Sequence, residues 1–269
     1  MRDLARRDDW KKPRSTYGLA VRGTADQLAL LSEILNSISP AAGRDLHAEA
    51  VLKNGADGYG VIEADVLAAL VAARKPKRII QVGCGVSTAI LLSAADLAGY
   101  RPKITCIDPY PTEYLKQLQA EGRITLIAKL AQAVDMGTLT DLGAGDLFFV
   151  DSTHTVKTGS EVNLLVLEVL PRLAPDVIVH FHDIYFPYEY PRDFLSGDMF
   201  FPGETTLLYA YLLDNPHFRV ELCMSMLHYE VPEKLKKLIP KYDPQGNNGG
   251  LMSSGGRHYP SSIYLSRVD

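Results

Sequence analysis

The sequence predicts an α/β protein with a doubly wound, Rossmann-like parallel sheet. Three observations carry that expectation. Short apolar runs alternate with stretches of helical spacing from residue 78 to residue 181. The strand runs are nearly continuous in apolar residues, Leu147-Phe148-Phe149-Val150 being the clearest, as expected where both faces are covered. A glycine turn, Gly83-Cys84-Gly85, links the first strand directly to a helix.

The elements follow in order. Asp26 to Ile38 carries Leu28, Leu31, Ile34, Leu35 and Ile38 at helical spacing, and Pro40 stops it. A second short helix is expected over 48–52. The loop 55–60 is glycine-rich, and a helix over 63–74 ends before Pro76. Strands are expected at 78–82, 103–107, 123–128, 146–150 and 176–181, separated by helices at 87–98, 111–121, 132–142 and 157–173. Beyond residue 184 the chain turns aromatic and proline-rich, with Tyr185, Phe186, Tyr188, Tyr190, Phe194, Phe200 and Phe201. This stretch reads as a lid, a substrate wall or a packed surface loop. A helix at 204–213, a strand at 218–224 and a last strand at 262–267 complete the pattern, the last two as an antiparallel pair. Insertions are expected at about 184–203 and 232–258. Residues 1–58 form an N-terminal helical extension, a lid or dimer arm, before the domain at 59–269.

Composition narrows the function. The chain has 269 residues, 46% hydrophobic and 22% charged, with a formal net charge of -4. That is ordinary for a globular domain and argues against nucleic acid or an anionic membrane as partner. No apolar run is long enough to span a bilayer. The first residues lack a secretory pattern, and Cys84, Cys106 and Cys223 lie far apart. Both features suit reduced thiols in a cytoplasmic protein.

The turn after the first strand is the first functional signal. Its glycines let a ligand approach the backbone, and the helix behind it presents free N–H groups. The next strand ends in Asp108, an acceptor suited to a ribose diol. The third glycine of a dinucleotide fingerprint is missing, since Val86, Ser87 and Thr88 follow Gly85. A nucleoside cofactor without a pyrophosphate is therefore expected.

Two other strand ends carry ionisable groups. One reads Asp151-Ser152-Thr153-His154, the other His180-Phe181-His182-Asp183. Asp151, His154, His182 and Asp183 should converge above the sheet. Such a set can hold a divalent cation, or place a histidine as general base, or tie loops together. His180, deeper in the strand, reads as structural.

These residues resemble the class I S-adenosylmethionine-dependent methyltransferases. Gln81-Val82-Gly83-Cys84-Gly85 is similar to their first motif, with Gln81 where the family has Glu or Asp. Ile107-Asp108-Pro109-Tyr110-Pro111 is similar to the second. A closer resemblance, to a bacterial small-molecule subgroup, lies in residues 150–160 and 180–184. It implies a seven-stranded sheet, mostly parallel, with an antiparallel C-terminal strand between its neighbours. It also implies methyl transfer to an oxygen or nitrogen of a small-molecule acceptor. Tyr59, Gly83, Cys84, Gly85, Ser87, Asp108, Gln132 and Asp151 would hold the cofactor, with Asp135 as a weaker contact. His182, His154 and Asp151 would act on the acceptor. Related enzymes bind magnesium through an aspartate after the fourth strand and an acidic pair after the fifth. That points to Asp151, His182 and Asp183 as ligands for magnesium, iron or manganese, although His182 is not acidic. A homodimer is the expected assembly. Two other readings share the fold: a non-methylating use of the sulfonium, and a non-catalytic binding module.

Overall fold

The computed structural model describes residues 12–41, 43–190, 202–242 and 260–268. Seven strands form one sheet in the order β3-β2-β1-β4-β5-β7-β6. They are β1 (Arg78–Val82), β2 (Lys103–Ile107), β3 (Thr125–Ile127), β4 (Leu147–Val150), β5 (Ile178–Phe181), β6 (Phe218–Cys223) and β7 (Ile263–Arg267). The first five pair in parallel, and β7 runs antiparallel between β5 and β6. The sequence expectation of a seven-stranded, mostly parallel sheet is met.

Helices cover both faces. They are α1 (Thr24–Leu35), α2 (Leu46–Asn54), α3 (Val61–Arg74), α4 (Val86–Leu97), α5 (Glu113–Ala120), α6 (Met136–Leu139), α7 (Glu161–Leu164), α8 (Glu204–Leu212), α9 (Met224–Glu230) and α10 (Pro232–Leu238). The two-residue period of β4 divides its side chains between two cores. Phe149 packs with α3 and α4 residues such as Leu67 and Ile90, while Phe148 and Val150 pack with Val162, Leu165 and Leu208 on the other face. All four β4 residues are fully buried, which is why the strand reads as an unbroken apolar run.

Two expected helices differ in the structure. Instead of a helix over 132–142 there is a 3₁₀ turn at Ala131–Ala133 and the single turn α6. Asp135 caps α6 by accepting from Thr138 N–H at 2.8 Å, so the helix starts late, and Gly137 and Thr140 give it little propensity. The helix expected at 157–173 begins at Glu161, widens to a π turn at Leu165–Val169 and tightens at Leu170–Arg172. Pro171 in its last turn has no N–H to continue the ladder.

The N-terminal helices join the same core. Leu31 and Ile34 of α1 and Leu46 and Ala50 of α2 are buried among α3 and α4 residues. Ahead of α1, Val21 bridges Val220, so this segment lines the open edge of β6. Cys84, Cys106 and Cys223 are free thiols, as expected. Among the described residues no helix is long and apolar enough to cross a membrane.

Candidate active site

Strand register sets out the site. Val82 pairs with Ile107 and with Val150, and Val150 pairs with Phe181. The next residue on each strand is therefore Asp108, Gly83, Asp151 and His182, in one row across the carboxyl lip of β2, β1, β4 and β5. The backbone ladder runs on into that row: Gly83 N–H donates to Ile107, Asp151 N–H to Val82 and His182 N–H to Val150, at 2.9–3.0 Å. At about 4.8 Å per strand the row spans about 14 Å.

On the β1 side, Gly83 has φ +79° and Cys84 N–H donates to Asp108 Oδ2 at 3.0 Å. Asp108 Oδ1 accepts from Tyr110 N–H at 2.8 Å. The half-buried carboxylate is thus fixed at the turn, where a ribose diol would meet it. Gly85 faces the Asn54 side chain, with room of only 3.2 Å for a Cβ. Asn54, at the end of α2, also accepts from Thr112 Oγ1 at 3.0 Å. The N-terminal extension therefore reaches over the glycine turn.

Gln81, which stands at the family's acidic position, is fully buried and committed. Its Nε2 donates to Ser87 Oγ at 2.7 Å and its Oε1 accepts from Thr88 Oγ1 at 2.9 Å. Ser87, expected at the cofactor, points its hydroxyl inward to this amide. Gln132 is exposed in the 3₁₀ turn and donates to Gly159 carbonyl at 2.9 Å. Asp135 is occupied as the α6 cap.

On the β4 and β5 side the four expected residues converge. His154 Nε2 lies 3.5 Å from Asp151 Oδ1 and 3.6 Å from Asp183 Oδ2, and His182 Nε2 lies 3.6 Å from Asp183 Oδ1. His154 and Asp183 both adopt left-handed backbone, φ +57° and +54°. Such conformations are unfavourable for non-glycine residues and concentrate at functional sites. Asp183 is held by Ser261 Oγ at 2.8 Å and Tyr185 hydroxyl at 3.2 Å.

Tyr59 is buried beside this cluster. Its ring lies 4.6 Å from that of His182, and its hydroxyl is 3.1 Å from His180 Nε2. Burial pushes the pKa of His180 down, so it is a neutral core histidine, as its depth in β5 predicts. His182 is also buried, and its Nδ1 has no hydrogen-bond partner.

Burial opposes charge on His154 as well. There, hydrogen bonds to Asp151 and Glu204 outweigh it, and the pKa is raised well above the usual histidine value. Glu204 was not visible in the sequence as a site residue. It is fully buried at the start of α8, with Oε2 2.7 Å from His154 Nδ1. Glu63 is a second such residue: buried in α3, it accepts from Ser261 N–H at 2.7 Å and so supports the partner of Asp183. Acids in a first helical turn are common for dipole reasons, so neither had a distinguishing signal.

The aromatic stretch after Asp183 is packed as far as it is described. Tyr185, Phe186 and Tyr188 are buried, and Tyr188 stacks on Tyr229 at 3.6 Å between ring centres. Phe194, Phe200 and Phe201, and His258 with the glycines of the second insertion, lie outside the described residues.

The donor set does not fit a divalent metal. Ligation would draw three donors to about 2.0–2.3 Å from one point, with any histidine nitrogen deprotonated. His154 instead sits between Asp151 and Asp183, facing both, and among the described residues no three His, Cys, Asp or Glu side chains are placed to share an ion.

Residues 80–184 match the family model described as a methyltransferase domain. The match covers the glycine turn, Asp108, Asp151–His154 and the β5 lip. Among solved structures, cofactor-bound Rv0187 from MTB is 13% identical, covering 88% of this chain and 95% of that one, with a TM-score of 0.50. The SAH-bound methyltransferase PaMTH1 of Podospora anserina is 16% identical over 87% of this chain and 94% of its own, with a TM-score of 0.48. No curated protein matches the sequence. The strand order is that of a mixed, mostly parallel α/β sheet, and the segment from within β1 to just past β5 resembles a methyltransferase domain.

Proposed function

We propose that this protein transfers a methyl group from S-adenosylmethionine to an oxygen or nitrogen of a small-molecule acceptor. The register row Asp108–Gly83–Asp151–His182 carries this reading. It sets Asp108 and the tight Gly83 turn in one row with Asp151 and His182, on the lip where α/β sheets bind ligands, which supports Asp108 as the acceptor for a ribose diol.

When bound, the cofactor supplies an electrophilic methyl on a sulfonium. The chain's own residues do the rest. Gly83, Cys84, Gly85 and Asp108 bind it, and Gln132 and Asp151 flank it. Ser87 and Tyr59 act from beneath, Ser87 by tying Gln81 to α4 and Tyr59 by packing on His182. His182, on the lip with its Nε2 3.6 Å from Asp183 Oδ1, takes the proton of the acceptor. Asp183 orients His182, and Asp151 faces the acceptor beside the turn. Because displacement is in line, holding the two reactants together supplies much of the acceleration. The reading includes a cytoplasmic setting and a homodimer, and the net charge of -4 gives no support to nucleic acid or an anionic membrane as partner.

Calorimetric titration of S-adenosylmethionine and S-adenosylhomocysteine tests it. The wild type should bind both, and Asp108→Ala should weaken binding about 10–100-fold, as expected for hydrogen bonds to a charged acceptor. Unchanged affinity would remove Asp108 from the assignment, and no binding by the wild type would overturn the reading.

A further inference from the structure

His154 stands where the family resemblance places a cation. Its Nε2 faces Asp151 Oδ1 and Asp183 Oδ2, and its Nδ1 faces Glu204 Oε2. Burial raises the pKa of Glu204, while the hydrogen bond and charge of His154 oppose that and favour its ionised form. Ionised carboxylates only accept hydrogen bonds, so a ring that faces them from both nitrogens carries a proton on each and a positive charge. The 2.7 Å contact to Glu204 is that of a charge-assisted bond.

Glu204 is built for this contact. It has no exposed surface, and His154 is its cationic neighbour. The main chain adds a second clamp: Gly203 N–H and Glu204 N–H both donate to the His154 carbonyl, at 2.9 Å and 3.2 Å. Three hydrogen bonds from the start of α8 therefore fix a residue with unfavourable backbone, and fix which way its ring points. A surface histidine needs none of this.

We infer that His154, held by Glu204, is a built-in cation that fills the position between Asp151 and Asp183 otherwise taken by a divalent metal. Glu204 is its positioning residue. The inference rests on the methyltransferase reading for its purpose, which is to neutralise the two aspartates beside the bound reactants without a metal. It leaves His154 with no nitrogen free to take a proton, so that task falls to His182 alone.

Manganese chloride alone, titrated calorimetrically into the metal-stripped protein, decides it. The wild type should give no stoichiometric binding. His154→Gly, which tolerates the left-handed backbone, should leave Asp151 and Asp183 facing open space and gain manganese affinity of about tenfold or more. Elemental analysis of freshly purified wild type should find no stoichiometric metal. Imidazole ¹⁵N spectra should show both His154 nitrogens protonated at neutral pH in the wild type, and one of them released in Glu204→Gln. A wild type that carries one equivalent of metal, and loses it in His154→Gly, would overturn the inference. S-adenosylmethionine titration of the same samples separates the two ideas. Failure to bind the cofactor would sink the methyltransferase reading, while the manganese result would still decide what fills the cluster.

Discussion

A Cβ on Gly83 would stand 1.6 Å from the carbonyl oxygen of Asp151. The glycine turn and the acidic loop therefore touch backbone to backbone, with Gly83 N–H also bound to Ile107 at 3.0 Å. Three strand ends meet at one residue. Its glycine is needed less for ligand access than for this contact, together with a φ of +79°. Gly83→Ala should cost about 3 kcal/mol or more, from backbone overlap and left-handed strain combined. Urea unfolding measures it, and a wild-type midpoint would show that the strand ends part without cost.

Gln81 carries the second prediction. Its amide satisfies two hydroxyls in a fully buried site, and Thr88 Oγ1 in turn accepts from Gly85 N–H at 3.1 Å. Gln81→Leu keeps the volume and strands both hydroxyls, at about 2–3 kcal/mol. The glycine turn should loosen with it, so cofactor affinity should fall together with stability. Loss of stability with affinity intact would mean that Gln81 supports α4 without shaping the turn.

The fold was legible because its strands are buried on both sides. Phe148 and Phe149 face opposite cores and both must be apolar, so β4 announces itself. The same logic failed at 132–142, where the capping side chain of Asp135 and a glycine outweighed apolar spacing. Within the site, Asp151, His154, His182 and Asp183 were legible because polar residues at the ends of apolar strands stand out. Glu204 and Glu63 were not. Each arrives from a distant helix start, where an acid has an ordinary explanation. Ser87 shows the opposite error: a hydroxyl just past a glycine turn suits a ligand, yet it faces the buried amide of Gln81.

A histidine far from the site gives a pH prediction. His228 Nδ1 lies 2.7 Å from the Tyr242 hydroxyl, and burial lowers its pKa to about 4. An unfolded histidine titrates near about 6.5. A histidine with a depressed folded value contributes its stability in full above about 6.5 and loses it as pH falls toward about 4. Since its surface is only partly buried, the loss should be about 1–3 kcal/mol. His228→Phe removes the titration, so its stability gap to the wild type should close by that amount between neutral and acid pH. A gap that stays constant in urea unfolding would show that the ring titrates as freely as in the unfolded chain.

The division of labour between the two histidines is the sharpest consequence of the site. His154 has carboxylates on both ring nitrogens, whereas His182 has an unpartnered Nδ1 and only Asp183 opposite its Nε2, at 3.6 Å. A proton acceptor needs a nitrogen not already committed to a carboxylate, and of these two histidines only His182 has one. His182→Asn should therefore lower kcat for methyl transfer to the small-molecule acceptor by about 10²–10⁴-fold, the usual worth of a positioned base. Cofactor affinity should hold within about twofold, since Asp108 and the glycine turn lie at the other end of the row and distant sites act independently. Glu204→Gln should behave differently, because His182 stays intact: kcat should fall by less than in His182→Asn. If His182→Asn left kcat unchanged, the proton would have to leave the acceptor without a base from β5, and the reaction would rest on approximation of the two reactants alone.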